Sequence, residues 1–205
     1  LIEVAQRNIS RGAKNFAIFE MGSIFRSSQK LVPAISPQTG SRPSDALIQE
    51  IFTSVPPQAL HIAGLLVGKS ENEDWQGKAR AYTWQDAIAF AQDIVEMCNL
   101  PFSVKRSDFA PWHPGRCAEI IVDGKAVAHA GEIHPRVLSN LNLPARSCAF
   151  GILISEIPYR STRKTSAVSP MTPVIQDLAF IVSKDLPNSE LEAVIRNSAG
   201  PLLED

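Results

Sequence analysis

The chain has 205 residues, of which 44% are hydrophobic and 20% charged, and its formal net charge is −1. This balance is typical of a soluble globular protein, and no apolar run approaches the roughly 18 residues that span a bilayer, so we exclude a membrane protein. The near-neutral charge argues against a dedicated nucleic-acid binder but leaves open an RNA contact at one edge.

The N-terminal sequence and the cysteine spacing indicate the cellular compartment of the protein. The first ten residues, LIEVAQRNIS, have no basic start followed by an apolar block, so they are not a secretion signal, and the absence of an initiator Met predicts a fragment of a longer chain. The cysteines match neither a CxxC metal spacing nor a disulfide framework: Cys98, Cys117 and Cys148. We therefore expect buried free thiols in a reducing cytoplasm.

The first segments predict a short helix and then a strand. An apolar stripe near the N-terminus indicates a helix that Gly12 can end. The members of that stripe are Ile2, Ala5 and Ile9. Residues 15–25, NFAIFEMGSIF, are rich in β-branched and aromatic side chains and predict a strand that bends or bulges near Gly22.

Residues 27–59 lack hydrophobic periodicity and contain five prolines, so they predict a long loop with one helical turn near residues 46–52. A loop of this length in a compact domain is usually a binding excursion or a poorly ordered insertion. Residues 60–67 then predict a buried strand, and the acidic cluster within residues 71–74 predicts a solvated loop.

The clearest predicted helix spans residues 83–98. Thr83 is followed three residues later by Asp86, which is close to the pattern of an N-terminal capping box. Apolar residues recur along this segment at helical spacing: Trp84, Ala87, Ile88, Ala91, Ile94, Val95 and Cys98. Such a stripe favours packing on a sheet over binding of a cofactor.

A β-hairpin is predicted in the next part of the chain. Residues 102–106 predict a strand and residues 110–116 a loop. Residues 117–122 and 125–130 then flank the Asp-Gly dipeptide at 123–124, which is the strongest short-range signal for a two-residue hairpin turn.

The segment after the hairpin completes the predicted sheet. Residues 131–135, GEIHP, lead into a short helix that carries Val137, Leu138 and Leu141, and residues 147–154 predict another strand. Hairpins outnumber βαβ units in this pattern. The sequence therefore predicts an α+β fold, a mainly antiparallel sheet with helices packed on it.

The composition changes after residue 157. Residues 158–173 are rich in Ser, Thr, Pro and basic side chains and predict a linker or an extended arm. Residues 177–183, DLAFIVS, predict a strand, and Ser189 with Glu192 predicts a capping box at the start of a helix. Because one strand and one helix cannot close a core, we expect the chain to stop at Asp205 within a domain.

No GxSxG, Walker, GxGxxG or HExxH motif occurs, and the four histidines are too dispersed to define a metal site, so no catalytic or metal-ligating residue is predicted. His113 and His134 each precede a proline, which restricts their backbones. These imidazoles are either substrate or RNA contacts, or buried side chains that satisfy loop carbonyls or a carboxylate. Arg116 and Glu132 could pair across the sheet, a role more structural than catalytic.

Three segments, in this order and at these separations, resemble the β chain of bacterial phenylalanyl-tRNA synthetase: FAIFEMGSIF, APWHPGRCAEIIVDGKAVAHAGEIHPRVL and PVIQDLAFIV. The resemblance covers nearly the whole chain, and HPGR-x-A followed one hairpin later by GEIHP is a specific combination. The resemblance implies that these motif residues have a structural role: His113, Pro114, Gly115, Arg116, Gly131, Glu132, His134 and Pro135.

The family resemblance also implies a domain arrangement. Residues 1–157 would form a non-catalytic, catalytic-like domain with the antiparallel sheet of class II synthetases, and residues 158–173 a linker. Residues 174–205 would be the opening strand and helix of a ferredoxin-like anticodon-binding domain. The expected partners are the catalytic α chain and phenylalanine tRNA, in a cytoplasmic α2β2 enzyme that uses ATP and Mg²⁺, with no cofactor bound by this fragment itself.

A comparison with synthetase motif 3 supports the expected lack of catalysis. That motif would read roughly AFG-x-G-x-x-R, and residues 149–151 match its start, but Leu153 stands at the second Gly and Glu156 at the Arg. A carboxylate repels a triphosphate, and a Leu side chain blocks close backbone approach.

Two other functions remain open at this level. The chain could be a free-standing RNA- or protein-interaction module, with Arg160, Arg163 and Lys164 as the candidate RNA contact, although such a basic stretch is commonly a solvated linker. A small-molecule enzyme built around His113 and the Arg116–Glu132 pair is the weakest alternative.

Overall fold

The computed structural model describes the following residues: 1–25, 40–71, 75, 77–158 and 170–203. The chain divides into two compact units, Leu1–Ser161 and Thr162–Asp205, and each is treated by itself. No helix in these described ranges has the length and apolar character needed to cross a membrane.

The first unit contains the helices and strands that build the main sheet. Its helices are α1 (Ile2–Ser10), α2 (Asp45–Ser54), α3 (Trp84–Glu96) and α4 (Pro135–Asn140). Its strands are β1 (Phe16–Phe25), β2 (Gln58–Val67), β3 (Lys69–Glu71), β4 (Arg80–Ala81), β5 (Phe102–Arg106), β6 (Trp112–Val122), β7 (Lys125–Ile133) and β8 (Cys148–Leu153). A short 3₁₀ turn, Ile154–Glu156, follows β8.

Six of these strands form one sheet in the order β1-β2-β8-β7-β6-β5, and every neighbouring pair is antiparallel. Strands β3 and β4 form a separate two-stranded sheet. The predicted α+β fold with a mainly antiparallel sheet is confirmed. The hairpin turn between β6 and β7 is also confirmed, because Asp123 and Gly124 both have positive φ, 48° and 78°, as a two-residue turn of this kind requires.

Helix α3 packs on β6, β7 and β8 and covers one face of the sheet. Its predicted stripe is confirmed: Ala87, Ile88, Ala91 and Val95 are buried, while Trp84, Ile94 and Cys98 pack at the margin of the same core. Small side chains at Ala87 and Ala91, both fully buried, let the helix backbone approach the sheet closely.

The opposite face of the sheet has its own smaller core. The predicted N-terminal helix forms as α1, and its Ala5 is buried against Leu65, Val67 and Ile133. Leu138 of α4 joins the same cluster. Both faces of the sheet are therefore partly covered, with α3 on one side and α1 and α4 on the other.

Several local predictions for this unit were wrong. Strand β1 pairs with β2 in unbroken register through Gly22, so the bulge expected there is absent, and the register shifts lie instead between β6 and β7. The expected loop at 110–116 is partly strand, because β6 begins at Trp112. The single helical turn expected near 46–52 is instead a ten-residue helix, α2. Ser44 caps the N-terminus of α2, because its side chain accepts a hydrogen bond from the Leu47 N–H. Residues 26–39 lie outside the described part of the chain, as does most of the acidic cluster, residues 72–74.

The second unit contains helix α5 (Asn188–Ala199) and a 3₁₀ turn, Gly200–Leu202. Residues 177–183, expected as a strand, have no strand structure, because no described strand of this unit offers the backbone hydrogen bonds that a strand requires. The expected capping box is also wrong: α5 begins with Pro187 as N-cap, which places Ser189 inside the helix. Glu192 instead accepts a hydrogen bond from Arg196 Nε at 2.9 Å.

Asp86 provides a test of how α3 begins. Its carboxylate accepts hydrogen bonds from the Thr83 N–H at 2.7 Å and from Arg80 Nη1 at 2.8 and 3.0 Å. Burial by itself would raise the pKa of Asp86, but the hydrogen bonds from Arg80 and Thr83, together with the Arg80 charge, outweigh it and hold the pKa below its ordinary value.

We predict that Asp86→Asn lowers the free energy of unfolding by about 1 kcal/mol at pH 7. Because the folded pKa is depressed, the carboxylate stabilises the fold fully above its ordinary pKa near 4 and loses this effect as the pH falls through the lowered value. Urea unfolding at pH 7 and at pH 3 measures this difference, which should shrink at pH 3. Asp45→Asn, at a side chain that is 89% exposed, is the control, and a pH-independent loss at Asp86 would contradict the account.

Candidate functional site

The two motifs that distinguish the sequence meet at one end of the hairpin. Trp112 of β6 pairs with Ile133 of β7, and Cys117 pairs with Gly131, so residues 113–116 form an irregular stretch between two paired positions. A further hydrogen bond links the residue just before β6 to the GEIHP motif: the His134 N–H donates to the Pro111 carbonyl at 2.9 Å. HPGR therefore lies directly beside GEIHP.

An ion pair joins the two motifs. Arg116 Nη1 donates to both carboxylate oxygens of Glu132, each at 2.7 Å. The Glu132 side chain is only 5% exposed, whereas that of Arg116 is 39% exposed. A third charged group, Arg146, places its Nε 3.9 Å from the same carboxylate. The pairing suggested by the sequence forms, and the guanidinium of Arg116 is directed at a carboxylate of the protein itself.

Gly131 is required by the close approach of the two strands. Its φ is +155°, and a Cβ at this position would lie 2.2 Å from the Arg116 carbonyl oxygen and 2.7 Å from the Cys117 Cα. Both neighbours are backbone atoms and cannot move aside as a flexible side chain would. The glycine of GEIHP thus permits the strand contact that brings Glu132 next to Arg116.

The rings of the two motif histidines are neighbours, with centroids 6.3 Å apart and planes inclined by 30°. His134 is the N-cap of α4: its Nδ1 accepts from the Arg136 N–H at 3.2 Å, which requires Nδ1 to be unprotonated, and Pro135 occupies the first turn. His113 Nδ1 is buried without a hydrogen-bond partner in the described part of the chain. Pro114 and Gly115 are exposed.

An aromatic cluster on the face of the sheet opposite α3 was missed by the sequence analysis. The ring centroid of His129 lies 4.3 Å from that of Phe109 and 5.8 Å from that of Trp112. Trp112 Nε1 donates to the Ala149 carbonyl at 3.2 Å, and Glu119 lies 3.7 Å from His129 Nε2. Burial lowers the pKa of His129, and the Glu119 charge only partly opposes this, so the imidazole is neutral near pH 7.

The described residues hold little reactive chemistry. Burial raises the pKa of Cys117 to about 11 and that of Cys148 to about 12, so neither thiol is a thiolate near neutral pH. The described ranges contain no group of three or more His, Cys, Asp or Glu side chains placed to hold a metal ion. Glu156, which the sequence analysis aligned with the motif 3 arginine, pairs with Lys125 at 3.3 Å.

The candidate RNA contact falls outside the described residues: Arg160, Arg163 and Lys164. The site that the structure does assemble therefore consists of the HPGR and GEIHP residues, with Arg146 added from the loop before β8.

Comparison with known proteins identifies the family. The family described as "Phenylalanyl tRNA synthetase beta chain CLM domain" matches residues 1–154. The chain belongs to this family.

Relatives of this family match along the whole chain. The chain is 37% identical over 205 residues to a protein named phenylalanine–tRNA ligase beta subunit from Nocardia farcinica, 34% identical over 205 residues to one so named from Corynebacterium glutamicum, and 35% identical over 210 residues to one from Streptomyces avermitilis. These matches cover 100% of this chain but 24% to 25% of each relative. The chain thus spans about a quarter of the length of these members of the synthetase β chain family.

Replacing Glu132 tests the ion pair. We predict that Glu132→Gln lowers the free energy of unfolding by roughly 2–4 kcal/mol, because Arg116 loses its charged partner in a partly buried position. Glu156→Gln is the matched control, since its partner Lys125 is 72% exposed and such pairs contribute little. Chemical denaturation of both variants measures the difference, and equal effects would show that the Glu132 pair has no special structural role.

Replacing Gly131 tests the strand contact. We expect Gly131→Ala to lower the free energy of unfolding by more than about 2 kcal/mol, because the new Cβ overlaps backbone atoms. Gly22→Ala is the control: nothing lies within 4 Å of a Cβ there, so its stability should be unchanged or slightly raised. A Gly131→Ala protein with wild-type thermal stability would contradict the predicted overlap.

Proposed function

We propose that this chain is a non-catalytic part of a phenylalanine–tRNA ligase β subunit, which supports the catalytic α chain and the binding of phenylalanine tRNA. In this proposal residues 1–157 form a core related to class II synthetase catalytic domains, residues 158–173 a linker, and residues 174–205 the start of a ferredoxin-like domain. The whole enzyme would use ATP and Mg²⁺ in the cytoplasm to attach phenylalanine to its tRNA, and this chain would bind neither cofactor.

One observation carries the non-catalytic assignment. Class II chemistry needs cationic side chains free to hold ATP phosphates and the acyl-adenylate. Here Arg116, the arginine of the most specific motif, donates to both oxygens of the buried Glu132. A triphosphate held by Arg116 would lie beside the buried Glu132 carboxylate, which repels its several negative charges. This arrangement supports a structural use of the motif.

The β1 edge of the sheet supports a role in binding another chain. Among the described strands β1 pairs only with β2, so one side of its backbone is open. Phe19, Met21 and Phe25 share one face of this strand and are 77%, 62% and 66% exposed. A long, flat, apolar edge is usually covered by a partner, since otherwise it promotes aggregation. We therefore assign the α-chain contact to this edge.

Association and aminoacylation assays test the proposal together. We predict that this chain forms a complex with the purified α subunit and that Met21→Asp weakens the complex by at least about tenfold. Met97→Asp is the matched control, because Met97 is 78% exposed at the end of α3. The chain alone should form no phenylalanyl-tRNA from phenylalanine, ATP, Mg²⁺ and tRNA.

Three results would each contradict part of the proposal. Aminoacylation by the isolated chain would overturn the non-catalytic assignment. Failure of the wild-type chain to bind the α subunit would overturn the supporting role, and equal loss of binding in both methionine variants would remove the assignment of the β1 edge.

A further inference from the structure

Two guanidinium groups converge on one buried carboxylate at the end of β7. Arg116 Nη1 contacts both oxygens of Glu132, and Arg146 Nε lies 3.9 Å from one of them. The exposed side-chain fractions are 5% for Glu132, 39% for Arg116 and 73% for Arg146. In the Arg116–Glu132–Arg146 group the negative charge is therefore buried and the two positive charges are at the surface. The formal charge of the three side chains together is +1.

Both guanidinium groups retain donors that Glu132 does not use. Arg116 engages the carboxylate through a single nitrogen, and Arg146 lies beyond hydrogen-bonding distance from it. Within the described part of the chain neither guanidinium group makes another hydrogen bond or ion pair. Since each guanidinium has five N–H donors in a planar arrangement, most of these donors are available to a ligand.

The backbone of Arg146 has an uncommon conformation. Its φ is +63°, in the left-handed region that favours Gly or Asn and costs other residues about 1 kcal/mol or more. In this conformation the Arg146 Nε lies 3.9 Å from the Glu132 carboxylate, and the Arg146 side chain is 73% exposed.

Nearby acidic groups do not cancel the excess positive charge. The charges of Glu132, Asp86, Arg146 and Arg116 all influence the pKa of the Cys148 thiol. Asp86 is already held by Arg80 at 2.8 and 3.0 Å. The Arg116–Glu132–Arg146 group therefore keeps its formal charge of +1.

We propose that Arg116 and Arg146 form a contact for one phosphodiester group of an RNA backbone. Planar guanidinium groups bind phosphate oxygens with paired, charge-assisted hydrogen bonds. A phosphodiester carries one negative charge, which matches the formal charge of the group. A nucleoside triphosphate carries several negative charges, most of which would stand unbalanced near Glu132. This inference depends on the proposed function in one respect only, which is that the RNA is taken to be a tRNA.

The test measures binding of the full chain to transcribed phenylalanine tRNA over a range of salt concentrations. Arg146→Asn removes the guanidinium and keeps a residue that tolerates positive φ, so the fold should persist, as thermal unfolding would verify. We expect about tenfold weaker binding and a slope of log affinity against log salt that is smaller by about 1. Arg7→Gln, which removes one exposed charge from α1, should leave both quantities unchanged.

Three outcomes would overturn the proposal. The first is unchanged tRNA binding by Arg146→Asn, and the second is a loss that occurs only when Arg160, Arg163 and Lys164 are replaced by Ala. The third is Arg146-dependent binding of inorganic phosphate or ATP that is as tight as binding of tRNA, which would assign the contact to a free anion instead. The tRNA-binding assay contains no α subunit, so a negative result in it is distinguishable from a negative result in the assay of binding to the α subunit.

Discussion

A carboxylate that is almost entirely removed from water destabilises a fold unless the protein supplies the interactions that water would have made. Glu132 is such a group, and Arg116 donates to both of its oxygens across the β6–β7 pair. The pair requires the two strands to approach closely where β6 is irregular, which only a residue without a Cβ at position 131 permits. The ion pair, the glycine and the irregular strand are therefore parts of one structural requirement.

This requirement explains why HPGR and GEIHP occur together in one chain. Each motif supplies one half of the ion pair, and each also supplies one histidine of the stacked pair His113–His134. His134 then caps α4, which packs with α1 on the face of the sheet opposite α3. A motif with this degree of specificity is easily taken for an active site, but its arginine and its glutamate are directed toward each other.

The sequence predicted those features that depend on local pattern. The apolar stripe of α3 and the hairpin turn at 123–124 were correct because spacing and turn chemistry determine them directly. The strand expected at 177–183 was wrong because a strand needs a hydrogen-bonded neighbour, which local propensity does not provide. The aromatic cluster was missed because only the tertiary fold brings together the loop residue Phe109 and the strand residues Trp112 and His129.

The central claim is that the motif charges act on each other to hold the sheet together. A double-mutant cycle on Arg116 and Glu132, using Arg116→Met, Glu132→Met and the combined variant in equilibrium unfolding, measures their interaction most directly. The account predicts a coupling free energy of at least about 2 kcal/mol, with the double variant far more stable than the sum of the single losses implies. Additive losses, with a coupling near zero, would contradict it.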